Sequence, residues 1–198
     1  MENINKLISL GYEKLIGQST VEACDHWLEA FELIKEVARE KSYKNIKQIE
    51  EEFKFIEHLT NWVQDIEMEL ENAGIEEKEY FKKRITYTTE FCDIFTETDE
   101  FIIMSMKLAK AESYFELEEV TKSEELFKQY AEEYKDSVWP FVKWGDVYWL
   151  SNILNERREL LNVDKAMEIY KSGLGRDAHE DYILEDRIGD LQEIIDRQ

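Results

Sequence analysis

Apolar residues recur at every third or fourth position along almost the whole chain, the spacing that lays them on one stripe of an α-helix. Leu7, Leu10, Leu15 and Ile16 predict a helix over 3–17, loosened by Gly11 and ended near Gly17. Ser19 or Thr20 can cap a second helix reaching about residue 40, with Val21, Cys24, Leu28, Phe31, Ile34 and Val37 or Ala38 as its apolar face. Ile46, Ile49, Phe53, Ile56, Leu59, Val63, Ile66 and Leu70 predict one long helix over 45–72, with Gly74 as a left-handed stop. Tyr80, Phe81, Ile85, Thr88, Phe91 and Phe95 mark a fourth helix over 76–95, and Asp99 starts a fifth that runs through Leu117. Further helices are expected over 119–134, 139–155, 163–174 and 178–196. Short links between successive amphipathic helices make antiparallel neighbours, and each pair leaves an apolar face that only another pair can cover. A stacked solenoid and an irregular bundle share these stripes, so only a repeat separates them.

Composition narrows the class. One Pro and seven Gly are too few turn residues for a short-strand architecture. Five Trp, ten Tyr and ten Phe are far more aromatic mass than a disordered chain carries. Cys24 and Cys92 are too few for a disulfide framework, and the N-terminus shows neither a basic region nor an apolar core, so the expected compartment is the cytoplasm. Uninterrupted apolar runs such as Phe101-Ile102-Ile103-Met104 are far too short to span a bilayer.

Charge changes the picture of partners. The formal net charge is −21, and residues 51–100 hold 15 acids against 5 bases. Such a field repels phosphate backbones and anionic lipid, so neither ordinary nucleic-acid binding nor membrane binding is expected, and a basic partner is favoured. No Ser-His-Asp elbow, HExxH or clustered Cys/His is present, so no catalytic role and no cofactor is expected. Glu22 and His26, at i and i+4, make too small a ligand set for a metal and read as a helix-surface contact. His58, Asn61, Asp65 and Glu69 line one side of the third helix. Asp65 and Glu69 stand at the like-charge i, i+4 spacing, a strain that a cation or a basic partner would relieve.

The repeat lies in the C-terminal half. Ala111 and Gly145 are 34 residues apart, as are Tyr114 and Tyr148, and 34 is the length of a tetratricopeptide unit. Phe141, Trp144-Gly145 and Tyr148 resemble the first helix of that family's unit. The preceding unit reads Ala111 and Tyr114, then Ser123, Phe127 and Tyr130 on its second helix. Ala166 with Tyr170 resembles the second helix of the next unit, arriving nine residues late, which places an insertion across 152–162. Small residues at Gly145 and Ala111 would let paired helices approach closely. The pattern is broken by Lys107, Lys110, Tyr130 and Pro140. Residues 61–74 also resemble the helical part of bacterial proteins that often end in an SEC-C zinc-binding segment, but no Cys-rich tail accompanies them and no zinc function is implied.

The resemblance implies an all-α fold: antiparallel helix pairs stacked as a short right-handed α-solenoid of the tetratricopeptide type, with eight or nine helices. It is expected as a single helical domain with a divergent part over 1–98 and degenerate repeats over 99–198. The family lines a concave groove from fixed positions on each first helix, which here are Leu108, Glu112 and Phe115, joined by Ser105 and Glu116, then Trp139, Val142, Asp146 and Trp149, joined by Leu150. Aromatics among carboxylates imply an adaptor that binds a basic or aromatic-containing segment. Two other classes stay open: an acidic mimic of nucleic acid that blocks a basic protein, and a small-ligand sensor or enzyme accessory, which a cavity with convergent polar groups would favour.

Overall fold

The computed structural model describes residues 1–196, and every regular element among them is helical. The chain forms two compact units, Met1–Leu117 and Glu118–Gln198. Unit 1 holds α1 (Glu2–Ile16), α2 (Thr20–Lys41), α3 (Ile46–Glu52), α4 (Leu59–Glu76), α5 (Glu79–Ile94) and α6 (Glu100–Glu116). Unit 2 holds α7 (Val120–Glu133), α8 (Trp139–Asp146), α9 (Leu150–Leu154), a 3₁₀ turn (Arg158–Leu160), α10 (Val163–Gly173) and α11 (Asp181–Asp196). The boundary between the two units falls after α6.

Among the described residues eleven α-helices replace the expected eight or nine, because two predicted helices are each split. The stripe over 45–72 breaks at Phe53, where the backbone turns extended, and resumes at Leu59. No Gly or Pro marks the break. Instead Asn5 of α1 accepts from the Ile56 N–H and donates to the Lys54 carbonyl, pinning the chain outside a helix and leaving Ile56 exposed. Glu50 then serves as a cap supplied by α3: its carboxylate accepts from both the backbone N–H and the hydroxyl of Thr60 at the start of α4. The second split separates α8 from α9 at Val147–Trp149.

Unit 1 is organised around α2, which packs on α1, α4 and α5. Trp27 of α2 lies against Gly11, where an added Cβ would sit 2.0 Å from the indole, and its N–H donates to the Ile8 carbonyl at 3.0 Å. Gly11 is thus a helix contact and not a loosening of α1, and the buried stripe of α1 becomes Ile4, Leu7, Ile8 and Gly11, with Ile16 exposed. Gly74 is corrected in the same sense. It lies inside α4, where a Cβ would meet the Phe81 ring at 2.8 Å, and the left-handed position among the glycines is Gly175. Phe31, Tyr87, Phe91 and Phe95 form the aromatic centre of the core, with Phe31 and Tyr87 edge to face at 4.7 Å.

Unit 2 is built on α8, which packs on α7 and α10, while α10 packs on α11. At Gly145 a Cβ would lie 2.1 Å from the Tyr170 ring, so the absent side chain is what admits α10 to this distance. The segment between α8 and α10 is held in place by the buried Asn152, whose amide donates to the carbonyls of Val147 and Leu160. Among the described residues no helix is long and apolar enough to cross a membrane.

Candidate functional site

The side chains that line the expected repeat groove fall within both units. In unit 1, Leu108 is buried, Phe115 is half-buried, and Glu112 points inward, accepting from Arg84 at 3.2 Å. In unit 2, Val142 and Trp149 are buried and Trp139 is half-buried. Asp146 accepts from the Tyr170 hydroxyl at 2.6 Å and from Arg187 Nε at 3.0 Å, and the Trp149 ring meets Tyr170 edge to face at 6.5 Å. Both carboxylates are thus engaged by internal donors. Burial raises the Tyr170 hydroxyl far above its ordinary value, and Asp146 adds to the effect.

Arg84 explains the inward turn of Glu112. Its side chain is 1% exposed and meets three carboxylates: Glu67, Glu71 at 2.5 Å and Glu112 at 3.2 Å, with Ser113 Oγ at 3.4 Å. Burial alone would favour losing the proton, but the three glutamates outweigh it and raise the guanidinium further. The carboxylates of α4 have internal donors as well: Tyr12 donates to Asp65 at 2.5 Å, and Asn72 donates to Glu69 at 3.0 Å. Glu22 pairs with Lys14, while burial pushes the Cys24 thiol up to about 12, far from a reactive thiolate.

A concavity of unit 1 runs between α2 and α5, with a volume of about 400 Å³. Its α5 wall, Glu79, Lys82, Lys83, Thr86, Tyr87 and Glu90, follows the three-and-four spacing of one helix face. From α2 come Leu28, Glu29, Phe31 and Glu32. Four glutamates face two lysines here, over a base of Leu28, Phe31 and Tyr87. Behind them Lys35 is 3% exposed, bonding Glu32 and Glu90 at 2.6 Å each, with its ammonium 5.4 Å from the Phe31 ring centre. Lys82 pairs with Glu79 at 2.8 Å, and Lys83 reaches Asp25 at 2.8 Å.

No family model, curated protein or solved structure matches the chain.

The functional reading therefore rests on the groove's own chemistry. Burial works to raise the Asp25 carboxyl, but hydrogen bonds from Lys83 and Tyr80 outweigh it and hold Asp25 below its ordinary range. Asp25 thus stays charged and keeps Lys83 drawn to one end of the groove. Glu29 is exposed and has no cationic partner among the described residues. This groove lies outside the residues that carry the 34-residue recurrence. The α5 spacing of charged residues was the available signal.

Proposed function

We propose that the chain is a protein-binding module, not an enzyme, which holds a basic, apolar-bearing peptide segment in the α2–α5 groove of unit 1 in the cytoplasm. The observation that carries this reading is Glu29, an unpaired carboxylate beside Leu28 and the Phe31–Tyr87 base, in a groove with twice as many glutamates as lysines. A Lys or Arg of the partner gains a carboxylate there without displacing an internal cation, and its alkyl stem covers Leu28. The net charge of −21 supports the same choice of partner by drawing basic chains toward the surface. We further read α8 and α10 as one pair of a short tetratricopeptide-like solenoid, supported by the close approach of Tyr170 to Gly145.

Fluorescence anisotropy with a labelled peptide of alternating Lys and Phe, against its Glu and Phe counterpart, tests the binding reading. The basic peptide is expected to bind, to weaken as salt rises, and to lose about tenfold in affinity on Glu29→Lys. Equal binding of both peptides, or an unchanged affinity in the variant, would remove the groove from the account.

A further inference from the structure

Unit 2 holds a second concavity, unrelated to the groove just described. It measures about 900 Å³ and lies within the range of small-molecule sites. Trp149, Ile153, Leu161, Val163, Ile194 and Ile195 form apolar walls. Three polar residues share the lining: Arg158, Asn162 and Asp164. Asn162 is already used, since its side chain accepts from the Lys165 N–H and caps α10. Arg158 and Asp164 are not. They form no ion pair with one another, and neither side chain has a partner among the described residues.

An apolar wall carrying one unpaired cation and one unpaired anion selects for a particular ligand. A fatty acid would satisfy Arg158 but bring a like charge to Asp164, and an alkylamine would do the reverse. Covering either charge without its opposite leaves it desolvated and unpaired, which is unfavourable. We propose that this pocket binds a small zwitterion with an apolar body, the class of free apolar amino acids and short apolar peptides. The ligand's carboxylate meets Arg158, its ammonium meets Asp164, and its side chains lie against Ile153, Leu161 and Val163.

The surrounding fold supports a formed site. Asn152, fully buried, ties the 3₁₀ turn through the Leu160 carbonyl, and the Asn162 N–H donates to the Tyr148 carbonyl at 2.9 Å, so both polar edges are anchored to the end of α8. The Trp149 ring is 4% exposed, and its indole N–H has no acceptor among the described residues. A buried donor left unpaired is uncommon in a folded protein.

Isothermal titration of the full chain with L-leucine, leucyl-leucine, hexanoate and isoamylamine tests the proposal. Leucine or leucyl-leucine is expected to bind at least about tenfold more tightly than either singly charged probe, and Arg158→Ala and Asp164→Ala are each expected to remove that preference. Saturation by leucine assigns the site to free amino acids, and saturation by leucyl-leucine alone assigns it to peptides. Both variants alter exposed side chains, and circular dichroism confirms that each is folded. The proposal is overturned if neither zwitterion binds, if hexanoate or isoamylamine binds equally well, or if the folded variants keep the preference.

Discussion

The two units handle buried charge differently. In unit 1 a cation sits inside and acids gather round it: Arg84 is enclosed by Glu67, Glu71 and Glu112, and Lys35 by Glu32 and Glu90. In unit 2 a carboxylate is the centre and neutral donors from aromatic side chains do most of the solvating. Glu124 accepts from the Trp144 N–H at 2.8 Å and the Tyr148 hydroxyl at 2.7 Å, and Asp146 accepts from Tyr170. Lys128 and Arg187 add one cation to each. An acidic chain must keep some carboxylates out of water, and these are two ways to do so. The first concentrates the risk on one side chain, because removing the cation leaves several like charges facing one another. The second spreads it over several weaker bonds.

Removing single partners should therefore hurt unit 1 more. Arg84→Met is expected to cost about 3–5 kcal/mol in urea unfolding followed by circular dichroism, since it leaves three carboxylates without their cation. Replacing Glu67 and Glu112 with Leu in the same chain should recover most of that loss, and failure to recover it would show that the guanidinium's packing matters more than its charge. Next in size, Gly145→Leu in unit 2 should cost about 1–3 kcal/mol by driving a side chain into the Tyr170 ring, read as a lowered melting temperature. Tyr170→Phe should cost about 1–2 kcal/mol, because Asp146 keeps Arg187 when the hydroxyl is lost. A Tyr170→Phe loss as large as that of Arg84→Met would erase the contrast between the units.

The smallest effect is expected at the exposed link between α3 and α4. Its hydrogen bond and charge attraction with Glu50 raise the His58 imidazole above its ordinary 6.5. Burial acts to raise Glu50, but His58 and Thr60 outweigh it and hold the carboxyl below its ordinary 4.5. The His58 contribution is complete below pH 6.5 and disappears as pH rises through the raised folded value. The Glu50 contribution is present above pH 4.5 and disappears as pH falls through the depressed one. Proton NMR titration should show His58 titrating above its ordinary value, and Glu50→Gln should bring it back down.

The helices were legible because each buries a stripe, and stripes are a property of neighbouring residues. Their ends were less so. With seven Gly in the chain, left-handed turns fall to Gln18, Ser42, Glu118 and Glu156, residue types that carry little stop signal, and the cap of α4 comes from Glu50 in another helix. The break after Phe53 was hidden because Ile49, Phe53, Ile56 and Leu59 keep helical spacing across a stretch that is not helical. On α5 and its C-cap, Tyr80, Phe81, Thr88, Phe91 and Phe95 are buried as the spacing predicts, Ile85 is half-buried, and Arg84 and Tyr87 join the buried face without belonging to the apolar stripe. No pattern rule puts an arginine inside, and its three glutamates lie 17, 13 and 28 residues away. For the same reason, Glu112 and Asp146 stood out as groove acids when read along their own helices. Their donors, Arg84, Tyr170 and Arg187, come from other helices.

The measurement that bears most directly on the account is an NMR titration of isotopically labelled protein with the Lys and Phe peptide. Saturable shifts centred on Leu28, Glu29, Glu32 and Thr86, abolished by Glu29→Lys, are the predicted result. Shifts that leave α2 and α5 unmoved, or that the acidic peptide reproduces, would contradict it.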